Sequence, residues 1–401
     1  MLETFHEHLG RRGAAVKVNG YEVEPNTDLS EADLRSANLD EADLTEVDLS
    51  RALLQKASLV RTNLSKAKLS CGDLAGPITL NGADLTEANL TEANLTKAWL
   101  VQANLAGANL TEANLTSAHF TDANLDGANL TGANLTETFL QAASLVGANL
   151  TGANLTKAVF DGGWRGPAVL TGANLTGANL AGTVVGKADL TRATLCGAYI
   201  AEALLARGKL NGADLAGARI IYSNFSHATL VAADLSGALL RDSLFEEAEL
   251  GQANLIGANL TRTNLTNASL PAAALIDADC QFSVFEGANL VGAVLDGAFF
   301  PGANLTGADL SRASLKGAQF GSARLTGVNL SGASVTNVFM GSTSLGNADL
   351  SRADLTGSDL SGAFLKGADL TGAVLNEVNL TGAVADQQTI WPDGFDPDSR
   401  L

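Results

Sequence analysis

The sequence predicts an all-β solenoid of square cross-section, and three observations predict it. From Thr27 to Ile390 nearly every fifth residue is Leu or Phe with Ala two positions before it, as in the run from Ala83 that reads ADLTE ANLTE ANLTK AWLVQ ANLAG. Ala and the following Leu point to one side of an extended backbone, while the Asn or Asp between them points to the other. The next two residues, often Thr-Gly or Thr-Glu, suit a turn. The chain therefore takes an extended step and then a corner, and four such steps close a coil of twenty residues. The third observation is that outward residues taken every twentieth position separate by chemistry.

Bulk composition agrees with a narrow, uniform interior. Aromatics are 5% of the 401 residues, glycines number 42, and the 46% that are apolar are mostly Ala and Leu. That excludes a globular core built around large rings. Internal repetition also removes the expectation of two or three globular domains, because a solenoid grows by stacking similar units.

Taken in order, residues 1–24 are read as an N-terminal cap. Leu2, Phe5 and Leu9 have helical spacing, and AVKVNGYEVE alternates about Asn19-Gly20, a hairpin pair, so a short helix plus hairpin covers the exposed end of the first coil. Residues 25–160 form the first run of coils. Within it the central residue recurs from Leu29 to Leu74 and then one residue late at Leu80, which places a one-residue bulge at 75–79 beside Pro77. The phase fails at Gly162-Gly-Trp-Arg-Gly-Pro167, where Arg165 would fall on a central, inward position, so 161–168 is expected to project as a loop. Coils resume over 169–390 without a slip. Residues 391–401 form a tail whose Trp391 and Phe395 are suited to plugging the last coil. About 73 units give roughly 18 coils, a rod on the order of 85 Å at a strand spacing of about 4.8 Å.

A(D/N)LXX in tandem resembles the pentapeptide repeat family, over nearly everything from Thr27 to Ile390. The resemblance implies a right-handed quadrilateral β-helix of twenty residues per coil. Many members have no assigned role, and a square solenoid packed with Leu offers no catalytic pocket, so the expectation is a non-enzymatic rod serving as a rigid binding surface or scaffold. Quinolone-resistance members act as acidic mimics of duplex DNA that bind type II topoisomerases such as gyrase, and the loop at 161–168 resembles one those proteins use. They are about half this length and pair through a C-terminal helical segment that WPDGFDP does not supply.

Every fourth unit gives the outward column Trp99, His119, Phe139, Val159, Asn179, Tyr199, Arg219, Leu239, Asn259, Asp279, Phe299, Gln319, Phe339, which is rich in aromatic and apolar residues. Trp164, Val184, Leu204 and Leu244 are read as its neighbour. Two units on lies an almost wholly polar column, Asn89, Asn109, Asn129 and Asn149 and onward, flanked by Asn94, Asn114, Asn134 and Asn154. Ladder stacking explains some of these rings, yet soluble surfaces rarely display so much apolar area along one side. Trp99, His119, Phe139, Tyr199, Leu239, Phe299 and Phe339 are therefore candidates for a protein-binding or self-association face, with Trp164 and Arg165 in the loop.

Catalytic and cofactor chemistry finds little support. The four histidines are too few and scattered for a triad or a metal cluster, with His6 and His8 the one pair close enough for a weak surface site. No phosphate-cradling glycine loop or CxxC occurs, and no cofactor or metal is expected. Cys280 falls on a central position, whereas Cys71 and Cys196 should face outward as free thiols. A net charge of -18 argues against direct nucleic-acid binding and favours a basic partner or one that normally binds nucleic acid, such as gyrase. Without a signal-like N-terminus or a long apolar run, the expectation is a cytoplasmic protein away from membranes, in which the Asn-Leu-Thr triplets are by-products of the repeat and carry no glycan.

Overall fold

The computed structural model describes residues 16–69 and 78–397, in two compact units, one ending at Asp189 and one beginning at Leu190. Each unit is built from short parallel pairings between successive coils, such as Asn109 with Asn129 and Asn129 with Asn149, a spacing of twenty residues.

One unit of five, Ala108 to Glu112, accounts for every backbone N–H it carries. Ala108 donates to Leu105 O within the coil (3.0 Å), Asn109 to Ala88 O of the preceding coil (2.9 Å), and Leu110 and Glu112 to Asn129 O and Thr131 O of the next (2.7 and 2.9 Å). The remaining amide, Thr111 N–H, donates to the side-chain Oδ1 of Asn109 at 3.2 Å. This is why Asn or Asp sits between Ala and Leu: it supplies the one acceptor the backbone lacks. Thr111 Oγ1 donates to the same oxygen (2.6 Å) and accepts from Asn129 Nδ2 of the next coil (2.9 Å), so Asn-Leu-Thr repeats knit into a ladder. Glu112 closes the corner in the left-handed region, φ 57°. Glycine fills many equivalent positions because it reaches that region without a Cβ penalty.

Inside, Leu110, Ala113 and their equivalents are fully buried, and each such Leu contributes about 1.5–3 kcal/mol of transfer free energy. Where Phe replaces Leu in successive coils the rings stack, Phe225 on Phe245 and Phe300 on Phe320, both with centroids 4.8 Å apart. Cys280 is fully buried at a central position, which pushes its thiol pKa up. Where Ser or Thr replaces the inner Ala, the hydroxyl finds a carbonyl: Ser223 Oγ donates to Ile200 O (2.9 Å) and accepts from Ala203 N–H (3.2 Å).

Three expectations about phase are corrected. First, the interruption near Pro77 is not a one-residue bulge. Leu53 pairs with Thr79 and Lys68 with Asn94, a spacing of 26, so six residues beyond a coil intervene. Leu74, Pro77 and Cys71 themselves fall in 70–77, outside the described residues. Second, the loop removes five residues from the coil count. Ala168 N–H donates to Phe160 O at 3.0 Å, taking the place of the usual bond three residues back, and residues 161–167 stand between them. Val159 then pairs with Val184, and Asn154 with Asn179. The column drawn from Val159 to Asn179 is therefore wrong. Val184 continues the column of Trp99, His119 and Phe139 instead of flanking it, and the polar columns shift likewise, Asn149 pairing with Asn174 and not with Val169. Third, a slip does occur before Ile390. Asp369 pairs with Ile390, a spacing of 21, so Ile390 takes an outward position at 52% exposed. Asp386 holds the extra residue in a turn by accepting from Gly367 N–H and Gln388 N–H, both at 3.0 Å, and Thr389 is buried where an Ala would lie.

At the start of the first unit, β1 (Val16–Val18) and β2 (Tyr21–Val23) form an antiparallel hairpin turned at Asn19 (φ 50°) and Gly20 (φ 90°). Asp33, in the first coil, has no earlier coil to receive its N–H, and Tyr21 OH accepts it at 3.3 Å. The expected helix over Leu2, Phe5 and Leu9 lies outside the described residues, as do His6 and His8. In the second unit, Trp391 stacks on Phe395 with centroids 5.1 Å apart.

Candidate protein-binding surfaces

In the first unit the register aligns Trp99, His119, Phe139, Val159 and Val184 on one outward column. Trp99 and His119 are tilted with centroids 5.7 Å apart, and His119 stacks on Phe139 at 4.4 Å with planes 11° apart. Trp99 keeps 42% of its surface exposed. Burial of the imidazole lowers the His119 pKa from its ordinary 6.5.

Rings at these positions displace the Asn or Asp that would receive the amide two residues later. Val101 N–H is rescued by Asn81 Oδ1 of the preceding coil at 3.0 Å. Thr121 and Gln141 have neither source, because His119 and Phe139 precede them and Val101 and Thr121 stand one coil before them. The aromatic column thus forgoes two of the repeat's regular side-chain acceptors, as do apolar units elsewhere such as Ala274 and Val294.

The loop runs beside this column. Gly162 must lack a side chain, since a Cβ there would lie 2.0 Å from Gly166 O, and Gly163 (φ 55°) and Gly166 (φ 100°) both occupy the positive-φ region. These glycines set a 3-10 turn over Gly163–Arg165. Arg165 Nη1 then reaches Asp122 Oδ2 at 2.8 Å, its guanidinium lies 4.8 Å from the Trp164 ring centroid, and Trp164 is 88% exposed. Between loop and column lies an open cleft of about 350 Å³ lined by Val101, His119, Thr121, Phe139, Gln141 and Asp161, with Gly162 and Arg165 at its edge.

The second unit carries its own outward column, in which Tyr199, Arg219, Leu239, Asn259, Asp279, Phe299, Gln319 and Phe339 pair in succession. Asn259 and Asp279 divide it into two patches, one around Tyr199 and Leu239 and one around Phe299 and Phe339. The Phe339 ring lies over the corner at Gly321 and Gly341, where an added Cβ would stand 2.9 and 2.8 Å from ring carbons. The adjoining column places Leu204, Leu244, Val284 and Phe364 outward.

Sequence reasoning found the rings of the first unit but not Thr121, Gln141 or Asp122. The signal for the first two was available, since they follow aromatic residues in the slot whose amide needs a side-chain acceptor. Asp122 meets Arg165 only through the loop's conformation. Among the described residues no group of three His, Cys, Asp or Glu side chains could hold a metal ion, and no helix is long and apolar enough to cross a membrane.

The family model for pentapeptide repeats (8 copies) matches residues 25–51, 42–76, 79–105, 100–137, 133–163, 168–205, 198–237, 233–270, 273–312, 303–341 and 348–384. The chain belongs to the pentapeptide repeat family, and its fold is the family's right-handed quadrilateral β-helix. Among solved structures it is similar to HetL, a pentapeptide repeat protein involved in heterocyst differentiation regulation from the cyanobacterium Nostoc, with 31% identity over 63% of this chain and 92% of that one and a TM-score of 0.31. Rfr23 from the cyanobacterium Cyanothece is 35% identical over 24% of this chain and 63% of its own, TM-score 0.16. QnrB1, a plasmid-mediated fluoroquinolone resistance protein, is 20% identical over 45% of this chain and 88% of its own, TM-score 0.23. Comparison with curated proteins gave no match.

Proposed function

We propose that this protein is a non-enzymatic, cytoplasmic scaffold that binds a protein partner, or a second copy of itself, through the aromatic column and loop of its first unit. The observation that carries this reading is the Trp99–His119–Phe139 ladder beside the exposed Trp164, which keeps large rings together at the surface. Tryptophan is among the residues that dominate binding energy, and an aromatic shelf with a cleft beside it offers the kind of anchor site where such energy concentrates. The test combines light scattering with affinity capture, using wild type, Trp164→Ala and the double variant Trp99→Ser, Phe139→Ser. Self-association or a captured partner that the variants lose supports the reading. A clean monomer at high concentration, with the same proteins retained by all three, sinks it.

A second reading, an acidic mimic of duplex DNA directed at gyrase or another type II topoisomerase, draws on the charge of -18 and on the acidic column of Asp309, Asp349 and Asp369. It ranks below the first for a physical reason. Several carboxylates are held in ion pairs, as with Glu31 to Arg51 and Asp242 to Arg262, and the regular faces of the first unit are neutral Asn-Thr ladders. A supercoiling assay in which excess protein leaves gyrase unaffected eliminates it.

A further inference from the structure

A different surface, on the second unit, has a composition of its own. At nearly every corner the second turn residue is left-handed, and where it is not glycine it is usually a small, amide or long charged residue. Tyr222 (φ 53°) and Phe282 (φ 55°) depart from this, and both lie at the corner joining the Tyr199 and Leu204 columns. A bulky residue in that region is a costly choice. Phe282 lies over Gly302, where an added Cβ would meet its ring at 2.8 Å, yet it and Tyr222 remain 59% and 63% exposed.

Around Tyr222 the two columns present Tyr199, Leu239, Leu204 and Leu244, all exposed, within three successive coils. Arg219 lies 5.5 Å from the Tyr199 ring centroid, and the exposed Arg241 adjoins Tyr222's corner one coil on. Neither arginine makes an ion pair among the described residues, although the Arg241 charge also acts on the neighbouring Asp242, whereas Arg262 is held in a two-point pair with Asp242, its Nε reaching Oδ1 at 2.5 Å and its Nη2 reaching Oδ2 at 2.9 Å. Among the described residues, Glu202 is the carboxylate at this corner outside such a pair. Two open guanidinium groups among Tyr and Leu thus form a locally basic, apolar patch on a chain whose net charge is -18.

We infer that this corner is a docking surface for an acidic segment of a partner protein, one that presents Asp or Glu beside aliphatic or aromatic side chains. Arg219 and Arg241 receive the carboxylates, for which the planar guanidinium is suited, and Tyr199, Tyr222, Leu239 and Leu244 receive the apolar anchors. A nucleic acid fits less well, because a phosphate chain running beyond two arginines meets the acidic remainder of the surface. The inference stands independently of the aromatic column in the first unit.

The test uses the full-length chain and a short labelled peptide alternating Asp and Glu with Leu and Phe, read by fluorescence anisotropy. A Lys-for-acid version of the peptide and a single-stranded oligonucleotide serve as competing probes. The acidic peptide should bind, more weakly as salt rises. Affinity should fall by about tenfold or more in the double variant Arg219→Glu, Arg241→Glu, the expected loss for charge reversal at paired contacts. Tyr222→Gly, which suits the left-handed backbone and so spares the fold, should also weaken binding, while Trp99→Ser should leave it unchanged. No binding of the acidic peptide, binding indifferent to these variants, or tighter binding of the basic peptide overturns the inference. An oligonucleotide bound more tightly than the peptide and lost in the same variants assigns the surface to nucleic acid, and a dimer lost in them assigns it to a second copy. Either outcome also overturns it.

Discussion

Arg165 reaches back along the chain to place Nη1 2.8 Å from Asp122 Oδ2, so the loop between Phe160 and Ala168 is tied to a coil well before it. Both side chains remain partly open to solvent, which limits what the pair adds to global stability. Arg165→Ala should change the unfolding free energy by less than about 1 kcal/mol. Its effect should instead be local, with faster amide exchange across Gly163–Arg165 and greater mobility of Trp164 by fluorescence anisotropy. Unchanged loop exchange would show that the glycines alone hold the turn.

Gly162→Ala should act more strongly on the same loop. Its Cβ would press on Gly166 O, a backbone atom that moves only if the turn opens. The Arg165–Asp122 contact should be lost, and partner capture through Trp164 should fall with it. The coils on either side should keep their exchange protection, because Ala168 and Phe160 lie outside the strained segment.

Lowered basicity at His119 sets a pH dependence. Its folded pKa lies below the ordinary 6.5 because the ring is partly buried between Trp99 and Phe139. Below the unfolded value the unfolded chain binds more protons at this site than the folded one, so stability rises with pH there. The contribution is intact above about pH 6.5 and declines as pH falls toward the folded value. His119→Phe keeps the stack and should reduce the loss of stability between about pH 7.5 and about pH 5 in urea titrations. An identical pH profile for both proteins would mean that His119 does not carry it.

Ser223→Ala removes a hydroxyl that is 1% exposed and joins Ile200 O to Ala203 N–H. Ala203 N–H can then close on Ile200 O as Ala108 N–H does on Leu105 O, so the loss should stay at about 0.5–1.5 kcal/mol, read from denaturant unfolding. Ala233→Ser, at an inner position without that bridge, serves as the reference for a hydroxyl merely added.

Ala113→Leu should destabilise by about 1–3 kcal/mol, because the inner position beside Leu110 is fully enclosed and the extra carbons have nowhere to go. Thermal unfolding checks it, and a neutral result would mean that the coil widens locally.

How much of this was legible follows from where each constraint acts. Burial of Leu110 and Ala113, the outward Asn109 and the corner at Glu112 are all written within five residues, since alternation and turn preference are local. The rings of Trp99, His119 and Phe139 were equally visible, because nothing interrupts the twenty-residue spacing between them. Local order could not decide whether an interruption lengthens a coil or leaves it. Gly162 to Pro167 counts as one more unit by length, and only the bonding of Ala168 to Phe160 and of Val184 to Val159 shows that it stands outside. The sequence by itself determined the coil, its core and the chemistry of each outward step. Tertiary structure decided which steps lie above one another, because that register is set by hydrogen bonds between coils, and five residues withdrawn into a loop move every later side chain of the first unit to the next face.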